Sequence, residues 1–472
     1  MSLSTRARPS VFALAGCLLA LAAFRLAVLS AQIVRDGMQI DFAAFYIAGR
    51  SESLGLNPYR NYPKHSPDIW FGIARRKHSR FLYPPFAATL FRPIAALPYA
   101  RAKAVWAAVS MAGVAVGMLI SAVFLGGRNA GRLVVAGLAL MLLFHPTLIL
   151  VERGQIDGFT FPLCAGAVVL MARGGGRRDA AAGALLALAV LLKLHVALIV
   201  PFLILRRKTR ALAGLAAGII AISILSLIFN GPDEIYDYIV VQMPRISYFE
   251  AGGTLEYWLP DKELAPLLVG IPEDYLRAEG RLYLINFFEC IGCPSIAYAI
   301  YLGLLRMGTI VSLSLPSICV FAAIFALFVR HVRKGSGCCD PSAGGMSPIR
   351  EFAWWYAVLA IILLSAPVTR VSNTVWLLPV GVLVMREYKT LRAGNPRILA
   401  ALSAGILLVA IPDNRAGMGE ISSSATVDFI FSAKYIAGEL LILVGLMGYA
   451  ESPDMTERMD DEDSQGRLAQ HG

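Results

Sequence analysis

Apolar residues in this chain come in long blocks rather than in the alternation of a half-buried strand. Several blocks approach or exceed the ~20 residues needed to cross a bilayer. They predict spans near 11–33, 101–126, 132–151, 157–173, 209–229, 303–330, 352–366, 375–387, 397–411 and 431–449. Short basic runs punctuate them: "GGRNAGR" at 126–132, "RGGGRR" at 173–178, "RRKTR" at 206–210, "RHVRK" at 330–334 and "REYKTLR" at 386–392. Cytoplasmic loops carry such an excess of Lys and Arg. The pattern therefore predicts an all-α polytopic integral membrane protein of about 10–12 helices.

Three segments depart from simple alternation. Residues 179–205 are apolar but flanked by basic runs at both ends. If both ends face the cytoplasm, the segment enters and returns, with legs of ~20 Å of helix. Lys193 and His195 then sit at the tip of a hairpin. The other two segments, about 34–100 and 230–302, become long outer loops, a length usually tied to function. The first holds Arg50, Arg60, Lys64, Arg75, Arg76, Lys77 and Arg80 on the side that normally has few positive charges. Either a long loop tolerates them, or they meet an anionic ligand such as a phosphate.

Composition sharpens this picture without changing it. Of 472 residues, 57% are hydrophobic and 16% charged, far from soluble usage. The net charge of +11 lies largely in the junctions, so it gives no reason to expect nucleic acid as a partner. Membrane lipids are the expected surroundings. Residues 1–450 read as one integral membrane domain, and 451–472, with "DMTERMDDED", as an acidic disordered cytoplasmic tail. The first apolar run continues well past "LAGC", so it reads as a retained span rather than a cleaved signal. The seven cysteines form no paired zinc motif. Cys290 and Cys293 leave packing thiols, a disulfide or a metal open, and Cys338 and Cys339 are expected reduced. No metal or cofactor is expected.

Five short stretches concentrate chemistry. Asp41 follows the first span in "DFAAFYIAGR" and is either a helix cap or a general base facing a polar cavity. In "FLYPPFAATLFRPIAALP", Pro84 and Pro85 suit a helix start and hold Tyr83 extended. The apolar run behind them is too short to span. "ERGQIDGF" places Glu152, Arg153, Gln155 and Asp157 between two apolar blocks, as a solvated turn or a cavity lining. Lys193 with His195 is either a satisfied buried pair or a contact for a lipid phosphate. "SAPVTRVSNTVWLLP" supplies Arg370, Ser372 and Asn373 in a late outer loop.

In this order the stretches resemble glycosyltransferase family 87, within the C-type glycosyltransferase fold. The resemblance rests on Asp41 after the first span, "GLNPY" at 55–59, "FLYPP" at 81–85, "GQID" at 154–157 and "AGALLALAVLLK" at 182–193. It covers 36–210 and fades from 230 onward. In the late loop the family's "S-P-x-S-W-x-H-H" is replaced by "APVTRVSN", with Ser372 and Asn373 where histidines would fall.

The resemblance implies transfer of a hexosyl or mannosyl-type sugar from a polyprenyl-phosphate donor to a lipid or glycan hydroxyl, with inversion. The reaction would occur on the outer face of the cell membrane. Asp41 matches the base. Tyr46, Arg50, Arg80, Tyr83, Arg153, Gln155, Asp157, Lys193, His195 and Arg370 are the expected substrate-binding residues. Inverting transfer needs one carboxylate to take the acceptor's proton. It also needs cations to stabilise the departing phosphate. A lipid monophosphate leaving group does not require a metal. The rival readings are a transporter or flippase of lipid-linked sugars, which would often show inverted repeats, and an inactive scaffold, suggested by the altered late loop.

Overall fold

The structure is a computed structural model. It describes residues 39–59, 69–70, 73–74, 81–127, 130–243, 295–307, 309, 312, 314–334, 346–367, 370–411 and 425–452, with isolated positions 20, 24, 25, 27 and 28. The expected first span 11–33 and the four cysteines at 290, 293, 338 and 339 lie wholly or mainly outside these residues. So do Arg60, Lys64, Arg75, Arg76, Lys77, Arg80 and the acidic tail from 453.

Helices make up almost all of the described chain. In order they are α1 Ile40–Ser53, α2 Pro85–Ala95, α3 Tyr99–Gly126, α4 Ala130–Leu143, α5 His145–Arg153, α6 Asp157–Arg173, α7 Gly176–Leu192, α8 Val200–Leu205 and α9 Thr209–Tyr236. Then come α10 Ile296–Arg306, α11 Ser314–Lys334, α12 Pro348–Ser365, α13 Leu378–Gly394, α14 Pro396–Ala410 and α15 Ala425–Glu451. One short antiparallel pair, Ile69–Trp70 with Ile73–Ala74, interrupts the pattern. The chain is an all-α polytopic membrane protein.

Proline sets many of the helix starts. It lies in the first turn of α2, α5, α8, α12, α13 and α14, where its missing N–H leaves no helical bond unmade. It also explains two departures from the expected spans. The block 132–151 is two helices, α4 and α5, bent by 61° at Phe144, just before Pro146. The block 303–330 is also two helices. Ser312 Oγ accepts the backbone N–H of Ser314 at 3.3 Å, and Pro316 lies in the first turn of the new helix.

Five described helices are long and apolar enough to cross a membrane: α3, α9 with its continuation to Gln242, the Ser314–His331 part of α11, α12, and the Ala433–Glu451 part of α15. The bent α4–α5 pair would make six. The remaining apolar helices are shorter, which protein neighbours can tolerate by shielding their ends. α12 runs through the centre of the bundle and is buried from Glu351 to Ser365.

The segment 179–205 folds back on itself. α7 rises from the basic junction, and the chain comes back through a 3-10 turn, Leu194–Ile199, and α8. The two ends then meet. Lys208 Nζ donates to the carbonyl of Met171 at 3.1 Å and lies 3.3 Å from Asp179. Arg206 pairs with Glu351 at the same end of α12. α9 packs tightly on α7: a Cβ at Gly183 or Gly214 would run into the facing helix backbone. Such close approach is the usual role of small residues between membrane helices.

The expected outer loop 34–100 contains two packed helices. α1 is buried from Asp41 to Ala48, and α2 covers it. The reason is aromatic. Phe42, Phe45, Phe91 and Trp106 form one ring cluster, with Phe45 and Phe91 stacked at 4.5 Å and Phe42 and Trp106 at 5.5 Å. Aromatic pairs of this kind add to ordinary area burial.

Candidate functional site

The site is built where the start of α1 meets the turn between α5 and α6. Gln39 precedes α1 with a left-handed backbone, φ 67°, unusual for a residue with a side chain. Its N–H donates to the carbonyl of Glu152 at 2.8 Å, and its side-chain amide donates to the carbonyl of Val151 at 3.2 Å. Across from it, Gly154 also has positive φ, 70°. A Cβ there would lie 2.6 Å from that of Phe42 and 3.0 Å from that of Gln39. Trp106 Nε1 donates to the Gly154 carbonyl at 3.0 Å. "GQID" is thus pressed onto the first turn of α1, and only glycine fits at its apex.

That contact delivers two partners to Asp41. Arg153 Nε donates to Asp41 Oδ2 at 3.1 Å, and Gln155 donates to the same oxygen. Asp41 is 6% exposed. It stands in the first turn of α1, where the helix dipole favours a carboxylate. No side chain caps α1. Capping therefore does not account for Asp41; its carboxylate reaches across to the other chain segment.

A second node lies one turn further along. Asp157 is fully buried at the start of α6. Asn373 Nδ2 donates to its Oδ1 at 2.9 Å, Trp376 Nε1 donates to the same oxygen at 3.0 Å, and Lys193 Nζ lies 3.0 Å from its Oδ2. The His195 ring packs on Trp376, 5.5 Å between centroids. The hairpin tip, the α6 start and the late loop thereby meet. Asn373 also accepts the N–H of Arg370 at 2.7 Å, fixing the start of the 3-10 turn Val371–Leu377.

Tyr83 joins the two nodes. Its ring lies 4.5 Å from Phe45, and its carbonyl accepts the Tyr59 hydroxyl at 2.7 Å. Burial pushes its hydroxyl pKa up, and the charges of Asp41 and Asp157 push it further, while Arg370 opposes them.

Not every expected residue belongs to it. The Tyr46 hydroxyl donates to the Leu97 carbonyl at 2.8 Å, and its ring meets Tyr99, so it holds α1 to the α2–α3 turn. Arg50 is nine residues beyond Asp41, about 13 Å along the helix. Arg80 lies outside the described residues. Asn373 is the residue that sequence reasoning undervalued. It marked a missing histidine, yet it bridges Asp157 to the late loop. Its only signal was its place six residues after Pro367 and three after Arg370. Among the described residues no group of His, Cys, Asp and Glu could hold a metal ion.

The model of glycosyltransferase family 87 matches residues 81–254. That match supports assigning the chain to glycosyltransferase family 87. The family indicates a membrane glycosyltransferase, and so a sugar donor and an acceptor as substrates. Among curated proteins nothing matches the chain. The matched segment contains Tyr83, Arg153, Gln155, Asp157, Lys193 and His195. It reaches past 230, where the resemblance read from the motifs had faded. Asp41, Arg370 and Asn373 lie outside it and join this family 87 segment through the contacts described above.

Proposed function

We propose that this family 87 chain moves a hexosyl or mannosyl-type sugar from a polyprenyl-phosphate donor to a hydroxyl of a lipid or glycan. Transfer occurs at the outer face of the membrane, with inversion. The observation that carries the reading is Asp41: a nearly buried carboxylate at a helix start, oriented by Arg153 and Gln155 instead of capping its own helix.

A base needs a fixed carboxylate within hydrogen-bond reach of the attacking hydroxyl. Gln155 and Arg153 fix Asp41 through one oxygen. As the acceptor oxygen attacks the anomeric carbon, Asp41 takes its proton and the bond to the donor phosphate breaks. Negative charge grows on that phosphate. Arg153 spends only its Nε on Asp41, and a guanidinium has five N–H donors. Its other edge suits the phosphate, with Arg370 near the same region. Lys193 is drawn towards Asp157, so its role is to neutralise that carboxylate and hold the hairpin tip in place. Tyr83 and the neighbouring rings offer faces for a sugar and a prenyl chain.

The test is purified protein in detergent with a radiolabelled polyprenyl-phosphate mannose and a membrane lipid extract as acceptor. Labelled product that is lost in Asp41→Asn supports the reading. Movement of the donor between leaflets of a vesicle without product replaces it with a flippase.

A further inference from the structure

A second polar cluster lies at the far end of α1 and has the opposite charge. α9 kinks at Gly231, φ 82°, beside Pro232, and continues as a π turn over Asp237–Gln242. The kink turns Asn230, Glu234, Asp237 and Tyr238 towards α1 and α2. Asn230 Nδ2 donates to Glu52 Oε1 and to Thr89 Oγ1, the latter at 2.9 Å. Thr89 in turn donates to Glu52 Oε1 at 2.8 Å. Asn57 Nδ2 donates to Asp237 Oδ2 at 3.0 Å. These bonds explain how three helices are tied together.

They do not explain three oxygens. Glu52 Oε2, Glu234 Oε2 and the Tyr238 hydroxyl are buried with no hydrogen-bond partner. Tyr238 is 5% exposed and stacks on Tyr59 at 5.7 Å. Burial raises the pKa of the Tyr59 hydroxyl, and the charges of Tyr238, Glu234, Asp237 and Glu52 raise it further. A buried polar atom without a partner costs about 1–3 kcal/mol; these three are among fifteen such side-chain atoms in the described residues, and the cluster is set apart by holding three of them beside one aromatic stack. π turns recur at functional sites.

We propose that Glu52, Glu234 and the Tyr238 hydroxyl form a subsite for the acceptor, and that they take a neutral, hydroxyl-rich sugar or polyol headgroup. This rests on the transferase reading above and deepens it. Three carboxylates against one nearby cation, Arg92, disfavour a phosphate, so the donor belongs at Arg153 and Arg370. Sugar hydroxyls instead donate well to carboxylates, while the Tyr59–Tyr238 stack offers an aromatic wall. Glu52 is eleven residues from Asp41, about 16 Å along α1. The headgroup bound here is therefore remote from the attacked hydroxyl, and the acceptor is longer than one sugar ring.

Thermal unfolding of the full-length protein, titrated with methyl α-mannopyranoside, myo-inositol, calcium chloride or inorganic phosphate, tests this. The neutral polyols are expected to stabilise wild type and Asp41→Asn alike. Affinity should fall by about tenfold or more in Tyr238→Phe and Glu234→Gln. Tyr238→Phe keeps the ring stack, so it decides the matter if Glu234→Gln does not fold. No polyol response, or a response unchanged in Tyr238→Phe, overturns the subsite. Stabilisation by calcium alone makes it a cation site instead. If sugar transfer occurs but the polyol response is absent, only the subsite falls. If the response holds but no transfer is found, the transferase reading and the acceptor role fall together, and Glu52, Glu234 and Tyr238 remain a polyol-binding site.

Discussion

Asp41 and Asp157 are both aspartates in the first turn of a helix, and both are held by side chains from distant segments. Their surroundings differ in kind. Asp157 has no exposure and meets a lysine, an asparagine and an indole at once. Asp41 keeps slight exposure, and its arginine partner is 28% exposed. A buried charge met by a cation on one oxygen and two donors on the other builds structure. A carboxylate that keeps some exposure, beside a partly exposed arginine, is placed for chemistry. The sequence offers both as "D" beside an apolar block; depth and partners separate them.

The comparison breaks most severely if Asp41 proves silent. Asp41→Asn is expected to lower transfer by about 10²–10⁴-fold, the range for losing a general base. Stability should change little, because Arg153 can turn to water. Turnover per mole of folded protein checks it, and wild-type rates would reduce Asp41 to a structural residue.

Asp157→Ala should do the reverse. Removing one partner of a buried pair costs about 3–5 kcal/mol. Denaturant or thermal unfolding in detergent reads this. Replacing Lys193 by Met in the same chain should recover part of the loss, since the uncompensated charge is then gone. No recovery would mean that Asn373 and Trp376, rather than Lys193, carry the node.

Gly154→Ala sharpens the link between the two carboxylates. The new methyl meets Phe42 and Gln39, and the positive φ adds strain of roughly 1–3 kcal/mol. Because Arg153 and Gln155 flank this glycine, transfer should fall along with stability. Full activity in a destabilised Gly154→Ala would separate the turn from the site.

The smallest effect is expected at Arg50. Arg50→Ala should leave donor affinity and stability within about 0.5 kcal/mol, as for surface changes away from special features. A donor affinity that falls tenfold would return the outer basic residues to the phosphate.

Much of this site was legible as local pattern. "ERGQIDGF" stood out because four polar side chains interrupt two apolar blocks. Lys193 stood out because a lysine is expensive among alanines and leucines. The hairpin could be read from basic runs at both of its ends. What could not be read was who meets whom. Asn373 reaches Asp157 across 216 residues, and Asn230 reaches Glu52 across 178. Such pairings leave no periodicity. α1 was missed for a related reason. Its aromatics pack against α2 and Trp106, and tertiary contact, not a long apolar run, makes it a buried helix. Pro146 and Pro316 mark the broken spans, but the apolar blocks run straight through them and carry no other sign of a break.

The Asp157–Lys193 pair also bears on how the chain enters the membrane during synthesis. At the centre of a membrane helix either residue alone would oppose insertion by about 2.5–3.5 kcal/mol; Asp157 opens α6 and Lys193 follows the last residue of α7, so each adds a smaller barrier of the same sign. Asp157 emerges from the ribosome first, and Lys193 follows 36 residues later. α6 and the re-entrant hairpin would then leave the translocon as one neutralised unit rather than as successive spans. Nascent chains truncated between Arg173 and Lys193 should hold α6 in the bilayer less efficiently than chains carried past Lys208. A glycosylation-reporter series that shows equal insertion at both lengths would make the pairing a later event of folding.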